Sequence, residues 1–491
     1  MLRSVCELKE SNEQSVLMKD AHFPVPFRPG LEFNAPVHGT WNIVHIGMNV
    51  PEAIQIYVCG INCMRGVVLT AAEMNCQDRF SLVVLEEKDI LEGRVEEITI
   101  EGVSDVLNRL EKKPPAVLLF TVCTHHFLGC DLKHVYQELG RRFPDILFVK
   151  CYMDPIMQKQ GLTPDQKLRY AMGSMLLPES VKPDTVSVLG CDFSLDETAD
   201  IRMLLQRNHV EIKEIFDCST LAEYRRMGSA ETFICTYPPG RHGIIQAAKR
   251  LDRAFYYLPS CFGYEEITEQ WKTICGGICG KKTALSAGEL SEEIDRENDR
   301  EKTALSAGEL SEEIDRENDR EKAALSAGEL EAEIRQQILA CEAALKDALD
   351  LIGETPIVID GTVHPRPLGL AKLLLEHGFS VKRVHLDAVS KEEQAEFDWL
   401  KEHAPELELT PTIQPEGRVW KRGSEGKVLA IGQKAAWFSA TPYFVNMVQG
   451  GGLWGFDGIR RMAALMKEAF LEEKDTEDLV PRKGLGCESC V

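Results

Sequence analysis

Seven residues, Ala116-Val-Leu-Leu-Phe-Thr-Val122, run without a charge or a break between Pro115 and Cys123. A half-exposed strand alternates apolar and polar positions, so a short unbroken run predicts a strand covered on both faces, as in a parallel sheet between helical layers. The chain then turns through Gly129 and takes a helical pattern from Asp131. In open α/β sheets, ligands bind just outside the carboxyl ends of the strands. Cys123 stands there, and Cys130 follows seven residues later. Both are placed for chemistry or for a metal, and the competing fate of such a cysteine is to be a small buried hydrophobe.

The same unit recurs along the chain. Gln55–Cys59 reads as a strand that ends at Cys59-Gly-Ile-Asn-Cys63, with a helix from Met64 to Met74. Ser81–Leu85 and Ile146–Cys151 are further strands, with helices over Val103–Leu110 and Leu132–Arg142. A second series starts near Thr185 and includes the strands Val210–Ile215 and Glu231–Cys235, the last again closing on a cysteine. A third starts at Pro356–Asp360 and ends with a helix over Gly458–Leu471. Strands alternating with helices predict an α/β fold of three Rossmann-like parallel-sheet domains. The expected division is 1–180, 181–281, a helical linker 282–350, 351–472, and a polar tail 473–491. The first fifty residues carry four prolines and no clear period, and Trp41–Gly47 reads as the start of a strand or a turn.

The linker is set apart by an internal repeat. Twenty residues from Lys282 to Glu301 recur identically from Lys302, and a diverged copy starts at Lys322. Each copy has a capping-box pair, Ser286 with Glu289, Ser306 with Glu309 and Ser326 with Glu329, so helical stretches are expected. Twenty residues at about 100° each advance the phase by roughly 200°, which throws Leu290 and Leu310 to opposite sides of one helix. Such a repeat does not pack as a single stripe, and a solvent-exposed extension is expected. From Ala323 onward Ile334, Ile338, Cys341, Leu345 and Leu349 restore a steady apolar face.

The formal net charge of −22 excludes nucleic-acid binding through a general basic surface. No run of eighteen apolar residues occurs, so no membrane span is expected. The sequence opens without the basic and apolar regions of a signal peptide, which predicts a cytoplasmic protein. In that compartment the 16 cysteines are expected as thiols or metal ligands.

Several motifs resemble the nitrogenase component 1 family, the superfamily of the molybdenum–iron protein subunits and their cofactor-assembly and tetrapyrrole-reducing relatives. Phe120-Thr-Val-Cys-Thr-His-His-Phe-Leu-Gly-Cys-Asp-Leu132 is similar to the family's strand-end segment and puts Cys123 on a cluster-ligand cysteine. Ile56–Cys63 looks like its His-Gly-Pro-x-x-Cys segment, with Cys63 as the better counterpart of that cysteine and Cys59 beside it. Phe233-Ile-Cys-Thr-Tyr-Pro-Pro-Gly240 resembles the segment of the cofactor-ligating cysteine, at Cys235. Leu429–Lys434 and Gly452-Leu-Trp-Gly-Phe-Asp-Gly458 resemble the last strand and the start of the final helix. The resemblance spans most of residues 35–472 apart from the repeat. It implies an iron–sulfur oxidoreductase that takes electrons from a separate ATP-dependent iron-protein-type reductase and forms a homo- or hetero-oligomer with a related subunit. Two departures count against nitrogen fixation. No cysteine occurs over Phe33–Gly39, and no histidine follows His403, where the family holds its cofactor.

Thiolates suit iron–sulfur clusters because soft sulfur matches iron and tunes its potential. Cys59, Cys63, Cys123 and Cys130 suffice for a [4Fe–4S] cluster within one chain. Alternatively, two or three of them join cysteines of a partner, as in the family. His125 and His126, close behind Cys123, are candidate proton donors, and turn histidines bonded to backbone are the plainer reading. Arg366 precedes a helix where an anion would sit, and a plain surface arginine is the equal alternative. Cys275-Gly-Gly-Ile-Cys279-Gly-Lys-Lys fails as a phosphate loop, since its first glycine is misplaced and no Ser or Thr directly follows Lys281. Any nucleotide therefore belongs to the reductase. Cys487-x-x-Cys490 has metal or redox spacing on a polar tail. Two other functions fit the same sequence: a non-catalytic scaffold or carrier for cluster assembly, and a cluster-free ligand-binding or regulatory protein.

Overall fold

A computed structural model describes residues 15–27, 42–154, 161–280, 327–414, 417, 419–423 and 426–476. The strands are β1 (Val16–Leu17), β2 (Ile54–Cys59), β3 (Phe80–Val84), β4 (Ala116–Val122), β5 (Leu147–Met153), β6 (Lys182–Val188) and β7 (Glu211–Glu214). They continue with β8 (Ala230–Cys235), β9 (Ala254–Tyr257), β10 (Ile357–Asp360), β11 (Val381–His385), β12 (Glu408–Thr410), β13 (Leu429–Ile431) and β14 (Phe444–Val445). They form three sheets, in the orders β3-β2-β4-β5, β7-β6-β8-β9 and β1-β12-β11-β10-β13-β14. The first two sheets are wholly parallel. In the third, only β1 runs antiparallel, against β12. The expected α/β class with three parallel sheets is therefore the observed one.

Each sheet forms for the reason its sequence suggests. All seven residues of β4 are buried, between a layer holding Tyr57, Phe120 and Leu168 and another holding Ile56, Leu119 and Val103. Tyr57 and Phe120 stack at 4.3 Å with their rings 2° from parallel. A pair of that kind contributes about 1 kcal/mol beyond its buried area. The layer around Tyr57 also contains Phe233 and Ile244, so the first and second sheets share a core. Another core joins the second sheet to the third through Leu204, Trp271, Leu345, Ile359 and Trp454.

Three local outcomes differ from the sequence pattern. Ile43–Met48 is a helix, because the Asn42 side chain accepts from Val44 N (2.9 Å) and its backbone N–H donates to His45 Nδ1 (3.4 Å). That cap outweighs the strand preference of Ile43 and Val44. Residues 15–27 belong with the distant third sheet, where Val16 pairs with Leu409 and covers the β12 edge. The helix Ala327–Ile352 begins inside the third, diverged copy of the repeat, and the two identical copies lie, with the Cys487/Cys490 tail, outside the described residues. It buries Ile334, Cys341 and Leu345 and packs against the last helix, Gly455–Leu471.

Candidate functional site

The strands β2, β3 and β4 are parallel neighbours, so their carboxyl ends share one edge. Cys59 is the last residue of β2 and is buried. Cys63 is exposed in the first turn of the helix Ile61–Glu73 that follows. Cys123 is half-buried as the first residue of the short helix Cys123–Phe127 that follows β4. Tyr57 of β2 lies opposite Phe120 of β4, which brings Cys59 and Cys123 to adjoining strand ends. Burial pushes the Cys59 thiol up to about 12, and the neighbouring Cys63 adds to the shift. Cys130 is different. It packs with Val135 and Leu139 on the far face of the sheet, away from the layer that holds Cys59. Among the described residues, no three His, Cys, Asp or Glu side chains gather as a metal site. Cys59, Cys63 and Cys123 thus stand on two adjoining strand ends without gathering into a metal site among the described residues.

Large apolar side chains surround this edge. Ile61 (69% exposed), Phe127 (65%) and Leu128 (47%) flank the cysteines in sequence, and exposed Val84 ends β3, with Leu91 in the short helix that follows. Exposed apolar residues gathered at one end of a sheet mark a contact surface.

The two histidines behind Cys123 part company. His125 is buried: its Nδ1 accepts from Val122 N (3.3 Å), and its Nε2 lies 3.2 Å from Thr99 Oγ1. Burial holds its pKa down to about 4, so it is a neutral structural imidazole. His126 is partly open and places Nε2 3.1 Å from Asp154 Oδ2. Asp154 is fully buried just beyond β5 and also receives Lys167 Nζ on both oxygens, at 3.1 and 2.9 Å. Sequence pattern passed over Asp154 and Lys167, although Asp154 obeys the strand-end rule that singled out Cys123.

Cys235 ends β8, with its sulfur 3.2 Å from Tyr237 O and beside Cys191. It is fully buried, and burial drives its thiol well up. The close approach of Gly190 to Gly240 lies against it, so tightly that a Cβ on either glycine would collide with the other. Arg169 fills the adjoining space, ion-paired with Asp192 and stacked 5.1 Å from the Tyr237 ring. Among the described residues, the Cys235 sulfur is thus enclosed by Tyr237, Cys191 and the Gly190–Gly240 contact.

Arg366 is also buried. Its Nη1 donates to Glu266 (2.6 and 2.8 Å) and its Nη2 to Glu396 (3.1 Å). The acceptor at the start of the next helix, Pro367–Glu376, is the protein's own: Glu393 Oε1 accepts from Leu368 N (2.7 Å) and Gly369 N (3.1 Å), and burial pushes that carboxyl group's pKa up to about 8. Likewise Asp360, at the end of β10, accepts from Thr362 N and Ala435 N, both at 2.7 Å. A carboxylate already occupies the crevice between β10 and β13, where such sheets take ligands. Among the described residues no helix is long and apolar enough to cross a membrane.

No protein-family model matches the sequence, and no curated protein matches it. Solved structures do. One described as nitrogenase Cp1 at pH 6.5 aligns with a TM-score of 0.59 and 12% identity, over 92% of this chain and 95% of that one. Nitrogenase Cp1 at pH 5 aligns with a TM-score of 0.52 and 10% identity, over 93% of each chain. At such identities the likeness is one of fold: this chain has a nitrogenase-like fold over nearly its whole length.

Proposed function

We propose that this chain is one subunit of a nitrogenase-like iron–sulfur oxidoreductase, and that it does not fix nitrogen. Cys59, Cys63 and Cys123 would contribute thiolates to a cluster completed by cysteines of a second, related subunit. Electrons would come from an ATP-dependent iron-protein-type reductase. What supports this reading is the placement of Cys59, Cys63 and Cys123 at or just after the adjoining ends of β2 and β4, with Ile61, Phe127 and Leu128 exposed nearby in sequence, within a nitrogenase-like fold. A bound cluster would supply one-electron chemistry at that surface. The chain's own residues hold the thiols at the sheet edge. The apolar rim, once covered, would exclude water from them. His126, oriented by Asp154, is the group placed to hold a proton nearby. The tight packing at Cys235 argues against a second metal group at that sulfur.

The test is anaerobic purification of the chain, alone and with co-expressed candidate subunits, followed by iron and sulfide assay and EPR. Iron and sulfide are expected in the complex, with loss in Cys59→Ala, Cys63→Ala and Cys123→Ala. Absence of iron from every preparation, or spectra unaltered by all three changes, overturns the reading. Reductase-dependent turnover is expected, whereas transfer of the cluster to another protein without turnover would make the chain a carrier.

A further inference from the structure

Cys275 and Cys279 take no part in the cluster reading, and they stand four residues apart at one turn of helix. The helix Tyr264–Thr273 does not stop at Thr273. It passes into a π-helical turn, Ile274–Ile278, closed by the bond from Cys279 N to Ile274 O at 2.9 Å, a span of five residues. A π turn is wider than an α turn, so positions i and i+4 come almost directly one above the other. Such turns are rare and gather at functional sites. Glycines allow this one to close. A Cβ on Gly280 would stand 2.5 Å from Gly276 O, and a Cβ on Gly277 would stand 3.1 Å from Tyr256 Oη.

Both cysteines are free thiols, half-buried beside the helix Asp200–Arg207. They pack with Ile278 against the core that joins the second and third sheets. Arg207 is ion-paired with Glu333 of the helix Ala327–Ile352, and both charges act on the Cys275 thiol. Burial pushes that thiol up to about 11, with Glu333 adding to the shift and Arg207 opposing it. Cys279 is pushed up to about 12, by burial first and then by Cys275. The two sulfurs are thus close enough to feel each other's charge, and among the described residues no third ligand gathers with them. Two stacked thiols without further ligands suit a disulfide better than a tetrahedral metal site.

We propose that Cys275 and Cys279 form a reversible disulfide by exchange with a low-molecular-weight disulfide such as oxidised glutathione. The Cys275 thiolate attacks one sulfur of that disulfide, which makes a mixed disulfide and expels one thiolate. The Cys279 thiolate then attacks the Cys275 sulfur and expels the other. Two electrons pass from the protein dithiol to the small disulfide, and the two cysteine protons end on the two departing thiols. Arg207 favours Cys275 as the first to attack. The bridge fixes the π turn at the end of the helix Tyr264–Thr273 as a redox-responsive link. The proposal does not depend on the thiols of Cys59, Cys63 and Cys123, which stand at the end of a different sheet.

The test holds the purified full-length chain in glutathione buffers of graded oxidised-to-reduced ratio, traps free thiols by alkylation and digests with trypsin. Both cysteines, and no others, fall in one tryptic peptide, 273–281. The bridged form is expected as an unalkylated peptide lighter by two hydrogens, which reverts to the doubly alkylated peptide under reduced glutathione. Because the folded turn holds the sulfurs together, the equilibrium constant for the bridge against glutathione should be at least about tenfold larger than for the same chain unfolded in urea. Cys279→Ser has no second thiol to complete the exchange and should keep glutathione on Cys275. A bridge equally favoured in urea overturns the proposal. So does a folded chain that carries only glutathione adducts on these cysteines, or one that keeps both thiols at every ratio.

Discussion

The carboxylate of Asp200 accepts the backbone N–H of Phe456 at 2.6 Å, across 256 positions of sequence. Asp200 opens the helix Asp200–Arg207 of the second domain, and Phe456 lies in the first turn of the final helix. The same oxygen accepts from Trp271 Nε1 at 3.1 Å. Gly455 takes φ +73° directly against this carboxylate, where a side chain would collide with it. One buried acid thus caps the last helix and fastens it to the second domain. Asp200→Ala should cost about 2–4 kcal/mol, since it strands several donors at once. The urea-unfolding midpoint at pH 7 measures this.

Asp200 also makes a signed prediction about pH. Burial raises its pKa from 3.8 to about 6, against the pull of Arg460 and the backbone donors. Between those values the folded chain keeps a proton that the unfolded chain has released. Its contribution to stability is complete below about pH 4 and is lost as pH rises through 6, on the order of 3 kcal/mol in all. Asp200→Asn should flatten that limb of the stability–pH curve.

His125 acts in the opposite sense. Its folded pKa is lowered to about 4 by burial, so the unfolded chain takes up a proton that the folded chain refuses. Its contribution is complete above pH 6.5 and is lost as pH falls through 4, again on the order of 3 kcal/mol. His364, lowered to about 3 by burial and by the nearby Arg366, adds to the same limb. Because Asp200 opposes the histidines in one window, the wild-type curve alone hides both. The difference curve for His125→Gln should show stability regained specifically between pH 6.5 and 4.

How much of this was legible in the sequence follows from how local each signal is. β4 coincides with the Ala116–Val122 run, because a strand buried on both faces leaves an unbroken apolar stretch. β1 and β12 were invisible: they are two and three residues long, β12 is a strand through its pairing with β11, and β1 is one only because β12 lies beside it, almost 400 positions away. The cysteines at the ends of β2, β4 and β8 were legible, because parallel topology fixes where strand ends go. Their accessibility was not. Cys130 turned to the far face, and Cys235 was sealed by the contact of Gly190 with Gly240, which no local pattern records.

Lys167 and His126 compete for one buried acid. Asp154 has no exposure, and Lys167 reaches both its oxygens while His126 reaches one. Removing one partner of a buried charge pair leaves the other uncompensated and costs about 3 kcal/mol. Lys167→Met should therefore destabilise the chain by roughly that amount, and Asp154→Asn by a similar amount, while the double variant should cost much less than their sum. A double-mutant cycle in urea measures the coupling. Additive losses would mean that the Lys167–Asp154 contact contributes nothing of its own.

Cys130 separates the two ways in which this chain might hold a cluster. A cluster closed within one chain needs four thiols, and Cys130 would be the fourth. Its side chain instead packs with Val135 and Leu139 on the face of the sheet opposite Cys59, and burial raises its pKa. Bringing it round would mean rebuilding the turn in which Cys130 N donates to His125 O at 3.0 Å. Cys130→Ser should therefore leave iron and sulfide per complex unchanged, whereas Cys123→Ser, seven residues earlier, should lower both. The assay also has a second axis. If the ligands are shared between subunits, iron retention should depend on the apolar rim, and Phe127→Asp should release both the partner and the iron while leaving the isolated chain folded, because Phe127 is 65% exposed and supports no core. Iron lost in Cys130→Ser, but kept in Phe127→Asp, would place the whole cluster inside one chain.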